Sequence, residues 1–159
     1  MVGIESEAAL EGPAKAVRVL VSVGKGGKVP RYATEGAAGL DLCSAEDIFL
    51  DPMERRRVGT GIRVAIPCGY EGQVRPRSGL ALRLGLGMVN SVGTIDSDYR
   101  GEIGIILINF GSNRIEIGKG ERIAQLVVCP VARADMIEVD EIPFDSERGE
   151  GGFGSTGTA

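Results

Sequence analysis

The chain contains no histidine and no tryptophan, and only 4% of its residues are aromatic. Without histidine there is no Ser-His-Asp triad, no H-E-x-x-H zinc site and no haem-attachment motif. The three cysteines, Cys43, Cys68 and Cys129, form no C-x-x-C pair, which argues against structural zinc. An odd, widely spaced set suits reduced thiols in a cytoplasmic protein, acting as small apolar side chains. Positive charge is not in excess: the net charge is −4 and the isoelectric point is near 5.0. No basic field is available to hold a duplex, so no stable nucleic-acid partner is expected. Long apolar runs are missing too. The longest, Leu126 to Ala132, spans seven residues, against the ~20 of a membrane helix, and no membrane partner is expected. Residues 1–14 carry Glu5, Glu7 and Glu11 with no basic residue before Lys15, which is not the pattern of a signal peptide.

What is present describes a folded domain rich in turns. Val, Ile, Leu and Phe make up 44 of 159 residues, enough to build a core. Glycine supplies 25 residues, roughly twice the usual share. Val and Ile together give 29, and Ala-, Leu- and Lys-rich helical runs are scarce, so strands dominate. Strands are expected at Val17–Val23, Leu40–Ala45, Ile48–Leu50, Thr60–Ile66, Tyr70–Arg75, Met88–Val92, Glu102–Phe110, Ile115–Ile117, Arg122–Cys129 and Met136–Val139. Glu102–Phe110 is apolar enough to be buried on both faces. The one helix expected is Ser78–Leu84, with Ser78 able to cap it and Gly85 to end it. Short strands at fairly regular spacing indicate an all-β sandwich, jelly roll or barrel. The expected organisation is a loose acidic tail over 1–14, a β domain over 15–142, and a Gly-rich arm over 143–159.

Five stretches could carry chemistry. In the arm, Arg148 to Gly157 (RGEGGFGSTG) offers glycines whose N–H groups can converge on an anion, hydroxyls from Ser155 and Thr156, and a phosphate-binding Arg148. A flexible terminus explains the same glycines, but leaves Phe153, an aromatic face among them, without a reason. Arg75 to Gly79 (RPRSG) sets Arg77 and Ser78 at a helix start, which is either an anion site or an ordinary strand-to-helix junction. Asn90 to Gly101 (NSVGTIDSDYRG) packs polar groups into an apolar setting. It is either a plain turn or a recognition hairpin, with Asn90 able to pair with an amide-like base edge, Asp96 with a water and Tyr99 with a sugar. Gln125 lies in an apolar strand, facing solvent or a phosphate. Asp41 lies between Leu40 and Leu42 and, on a strand, faces away from both.

The order of these stretches is more specific than any one of them. AGLDL (Ala38–Leu42), PRSGL (Pro76–Leu80), GTIDSDYRG (Gly93–Gly101), GERIAQL (Gly120–Leu126) and RGEGGFGSTG (Arg148–Gly157) follow one another. Together they closely resemble the five motifs of the homotrimeric dUTP diphosphatases (dUTPases), from about Pro30 to Gly157. The resemblance implies a jelly-roll-like β-barrel protomer with one short helix, and a homotrimer whose three sites each draw on several chains. It implies hydrolysis of dUTP to dUMP and diphosphate with Mg²⁺ on the phosphates. Carried over, Asp96 positions and activates the attacking water. Asn90 and the backbone of Gly93, Thr94, Ile95, Asp96 and Gly104 read uracil, and Tyr99 packs under the deoxyribose. Arg77, Ser78, Gly79 and Gln125 hold phosphates, and Asp41 reaches the metal only through water. The arm closes over a neighbouring chain's site, with Phe153 and Gly154 on the uracil side and Arg148, Ser155 and Thr156 on the phosphates.

Two other readings use the same scaffold. A dCTP deaminase needs a glutamate where this chain has Ile106, and tends to carry Asp-Pro-Gly where it has Asp96-Ser97-Asp98. A non-catalytic nucleotide-binding protein has no need of Asp96 or of the full arm sequence.

Overall fold

The computed structural model describes residues 16–142, 146 and 149–151. The tail expected over 1–14 and the arm residues Arg148, Phe153, Gly154, Ser155 and Thr156 lie outside them. The described chain is eleven strands and one short helix: β1 Leu20–Val23, β2 Arg31–Tyr32, β3 Leu40–Cys43, β4 Ile48–Leu50, β5 Arg55–Ala65, β6 Tyr70–Arg75, α1 Ser78–Leu84, β7 Leu86–Met88, β8 Gly93–Ile95, β9 Glu102–Asn109, β10 Ile115–Ile117 and β11 Arg122–Pro130. One sheet runs β1-β5-β9-β7, a second β2-β3-β11-β6-β8, and the ribbon β10-β4 completes the set. All pairings are antiparallel. No described helix is long and apolar enough to cross a membrane.

The period-two alternation of a half-buried strand builds the core. Along β9, Ile103, Ile105, Leu107 and Asn109 are buried. They meet Val58, Ile62 and Val64 of β5 and Leu42, Val74, Ile123 and Leu126 of the opposite sheet, with Leu50 and Ile115 of the ribbon at one end. Buried polar groups are paired: Asn109 Nδ2 donates to the Leu50 and Asn113 carbonyls at 3.0 and 2.8 Å, and Thr60 Oγ1 donates to the Ile103 carbonyl at 2.7 Å. Such pairing removes the cost of a buried polar atom left alone.

Several expected boundaries move. β9 is buried on one face only; Gly104, Ile106 and Ile108 on the other face are half-buried. The first strand shortens to Leu20–Val23, an exposed edge. β5 starts at Arg55, before the expected Thr60, since three arginines and Gly59 conceal a strand whose first side chains face solvent. The expected strand Met88–Val92 is replaced by β7, ending at Met88, and a turn over Val89 and Asn90. β7 pairs antiparallel with β9, but the strand that enters the turn at Asp96 is β8, which pairs with β6 in the other sheet. Met136–Val139 forms no strand; Met136 and Ile137 are 87% and 80% exposed, because the segment has strand-like side chains and no neighbouring strand among the described residues. α1 is capped at Arg77 without a side-chain hydrogen bond, so Ser78 is its first residue and not its cap. Gly85 ends it at φ 69°, a left-handed conformation that favours glycine.

At the rim, Arg114 Nε and Nη2 donate to the two Asp51 oxygens at 2.7 and 3.0 Å, with its guanidinium 4.7 Å from the Phe49 ring centre. Those hydrogen bonds hold the Asp51 carboxyl below its ordinary range. A carboxyl with a depressed folded pKa stabilises above its unfolded pKa and loses that contribution as pH falls through the folded value. Arg114→Ala therefore lowers the urea midpoint slightly at pH 7, and the difference from the parent shrinks below about pH 4. A difference that grew on acidification would contradict this pairing.

Candidate active site

The turn after β8 shapes the first pocket. Tyr99 N–H donates to the Asp96 carbonyl at 3.1 Å, closing a turn over Asp96–Tyr99. Tyr99 Oη then donates to the Glu102 carbonyl at 3.0 Å. The Tyr99 ring lies over Gly101, where any side chain would collide with it. The chain thus leaves one sheet at Ile95 and joins the other at Glu102, and a cavity of about 200 Å³ opens between them. Asn90, Gly93, Thr94, Ile95, Asp96, Tyr99 and Gly104 all line it. The Asn90 amide nitrogen lies 3.3 Å from where a Gly93 Cβ would stand, so glycine keeps that wall open to the amide. Asp96 is exposed at the end of β8, free to meet a solvent molecule.

A second pocket forms where β3, β11 and the start of α1 meet. Asp41, Arg77, Ser78, Gly79 and Gln125 line it, together with Gly39 and Arg122. Asp41 and Gln125 sit opposite one another in the β3–β11 register, so their side chains share a face. Asp41 Oδ2 accepts from Arg122 Nη1 at 3.0 Å, and its Oδ1 lies 3.8 Å from Arg77 Nε. Arg77 Nη1 donates in turn to the Arg122 carbonyl at 2.8 Å. Gln125 Nε2 donates to the Pro76 carbonyl at 3.1 Å, fixing the link between β6 and α1. Gly39 is required beside it, since a Cβ there would stand 2.5 Å from Gln125 Oε1. One carboxylate thus holds two guanidinium groups at a helix start, an arrangement suited to an anion with several oxygens.

No described residue lines both pockets, so a single chain presents the pocket beside the β8 turn and the cationic pocket apart. Among the described residues, no three His, Cys, Asp or Glu side chains gather to hold a metal ion. Reading the sequence missed Arg57 and Glu102 in the first pocket and Arg122 in the second. Arg122 was visible beside Gln125 in GERIAQL, but Arg57 and Glu102 lie 45 residues apart and only strand register brings them together.

Comparison with known proteins agrees with this geometry. The dUTPase family model matches residues 25–157. The chain is 58% identical over 130 residues to a deoxyuridine 5'-triphosphate nucleotidohydrolase of Anaeromyxobacter sp. (strain Fw109-5), covering 82% of this chain and 88% of that one. It is 59% identical over 128 residues to the enzyme of the same name from Zymomonas mobilis, covering 80% and 87%. Its fold is similar to that of a Staphylococcus bacteriophage 80alpha dUTPase solved with dUPNHPP, with TM-score 0.83, 32% identity and coverage of 89% and 99%. The chain belongs to the dUTPase family.

Proposed function

We propose that this dUTP diphosphatase cleaves dUTP between the α- and β-phosphates, using a water activated by Asp96. The observation that carries this is the first pocket, where a carboxylate, a tyrosine side chain and the backbone of β8 converge. The Asp96 carboxylate takes a proton from the water as its oxygen attacks the α-phosphorus. The bond from that phosphorus to the bridging oxygen breaks, and diphosphate leaves with the electron pair. With no histidine in the chain, positioning and charge stabilisation carry most of the rate. Arg77, Ser78, Gly79 and Gln125 hold phosphate oxygens. Asp41 keeps Arg77 and Arg122 aimed at them, and is the carboxylate able to reach the water shell of a metal carried by the triphosphate. Mg²⁺, when bound there, neutralises phosphate charge; a site with one carboxylate and several substrate oxygens suits this cation. The expected consequences are less uracil in DNA and a supply of dUMP for thymidylate synthesis.

Uracil is read by Asn90 and the backbone of Gly93 to Asp96 and Gly104, and deoxyribose by Tyr99. Tyr99→Ala should cut the preference for dUTP over UTP by ~10-fold or more, because a packed ring leaves no room for a 2′-hydroxyl. An unchanged preference in competition assays would place sugar selection elsewhere.

The working unit is a homotrimer. Three features support this: separate half-pockets within one chain, the half-buried Ile106 and Ile108 on the outer face of β9, and the exposed apolar segment holding Met136, Ile137, Val139 and Ile142. The arm over 143–159 closes over a neighbour's site. Three described free cysteines fit a reducing, cytoplasmic setting. Incubation with dUTP, dCTP, dTTP and UTP in turn, with base and phosphate products identified, tests the activity. Diphosphate and dUMP from dUTP alone are expected. A uracil nucleotide from dCTP would support deamination despite Ile106, and binding without turnover would support a regulatory protein.

A further inference from the structure

One charged group in the first pocket is left without a role by this chemistry. Arg57 lies in β5 opposite Ile106 of β9, and the next pair along the same face is Gly59 opposite Gly104. Two facing glycines leave a trough there, and a long side chain reaches diagonally across an antiparallel pair. The Arg57 side chain does so. A Cβ added at Gly104 would stand 2.6 Å from its Cζ and 2.7 Å from its Nη2. The guanidinium therefore rests on the Gly104 backbone, in the wall shared with Asn90, Asp96 and Tyr99, and is the only cationic side chain among the described residues of that wall.

Its hydrogen-bonding capacity is scarcely used. A guanidinium carries five N–H donors and no acceptor. Arg57 makes one long bond, from Nη2 to the Glu102 carbonyl at 3.5 Å, and among the described residues it forms no ion pair. The nearby carboxylate is engaged elsewhere: Glu102 Oε1 accepts from Gly61 N–H at 2.8 Å. Glu102 thus spends its carboxylate on the irregular part of β5 and its carbonyl on Tyr99 and Arg57.

We infer that Arg57 is a specificity-determining residue, donating to a carbonyl oxygen of the pyrimidine base. This inference rests on the reading of the pocket as the nucleoside site. A guanidinium can only donate, so it favours a base edge presenting oxygen and opposes one presenting an amino group. Uracil has two carbonyl oxygens, whereas cytosine replaces one with an amine. Arg57 thereby adds a charged side-chain donor to a base readout otherwise made by backbone groups and Asn90. The triphosphate has its own cations in the second pocket, Arg77 and Arg122, so Arg57 acts on the base end of the substrate.

The test compares the full-length parent with Arg57→Ala and Arg57→Gln, measuring kcat and KM for dUTP and dCTP, and the Kd of dUMP. The glutamine variant keeps the first carbons of the stem and removes the charge, and serves where the alanine variant does not fold. The expected result is a KM for dUTP raised ~10-fold with kcat within about twofold, dUMP binding weakened by the same factor, and the preference for dUTP over dCTP reduced ~10-fold. Unchanged KM and preference would overturn the inference. So would equal losses for dUTP and dCTP with dUMP binding untouched, since Arg57 would then serve the phosphates. A parent enzyme that failed to turn over dUTP would instead overturn the underlying reading of the pocket.

Discussion

Asp96→Asn should lower kcat for dUTP by ~10³-fold while leaving the Kd for the nucleotide within a few-fold. Asparagine keeps the shape and the backbone turn, because Tyr99 N–H donates to the Asp96 carbonyl and not to its carboxylate. What it removes is one of the two carboxylates that line the pocket among the described residues; the other, Glu102, accepts from Gly61 N–H. The loss therefore falls on kcat, the signature of an interaction made only in the transition state. Asp96 is exposed, so the thermal midpoint should hardly move. Rapid equilibrium binding by calorimetry, beside steady-state turnover, separates the two effects. Retained turnover would move the base to another residue.

Removal of residues 143–159 should lower kcat/KM by ~10²-fold and leave both oligomeric state and thermal midpoint in place. The buried core is assembled from residues between Leu42 and Leu126, so the barrel does not need the arm. On the proposed reading the active site does: Arg148 would supply a bidentate phosphate contact, Ser155 and Thr156 hydroxyl donors, and Phe153 an aromatic face for uracil. Seventeen extended residues reach at most ~56 Å at ~3.3 Å each, enough to cross to a neighbouring chain. Mixing truncated chains with full-length Asp96→Asn chains checks this directly: activity recovered in the mixture means that arm and base come from different chains. Full activity in the truncated protein alone would remove the arm from catalysis.

Much of this was legible in the residues because local pattern and tertiary use agree. GTIDSDYRG sets a turn between two apolar stretches, and the turn forms over Asp96–Tyr99. Gly85 ends the one helix for the reason glycine usually does. Asn90, Asp96, Tyr99 and Gly104 line one pocket and Asp41, Arg77 and Gln125 another. The failures share a cause. A strand's own residues do not say what covers its second face or which strand lies beside it, so Glu102–Phe110 reads as buried on both sides and Met136–Val139 as a strand. Arg55 to Gly59 was passed over because charge and glycine hide a strand that only register with β9 reveals. Arg57 was missed for the same reason: its meaning lies in the glycine opposite, not in its neighbours along the chain.

Hydrolysis of dUTP in H₂¹⁸O with Mg²⁺, followed by mass spectrometry of both products, tests the central chemistry most directly. Attack by an Asp96-activated water on the α-phosphorus puts one ¹⁸O into dUMP and none into diphosphate. Label in the diphosphate would mean attack at the β-phosphorus and would contradict the roles given to Asp96 and the two pockets.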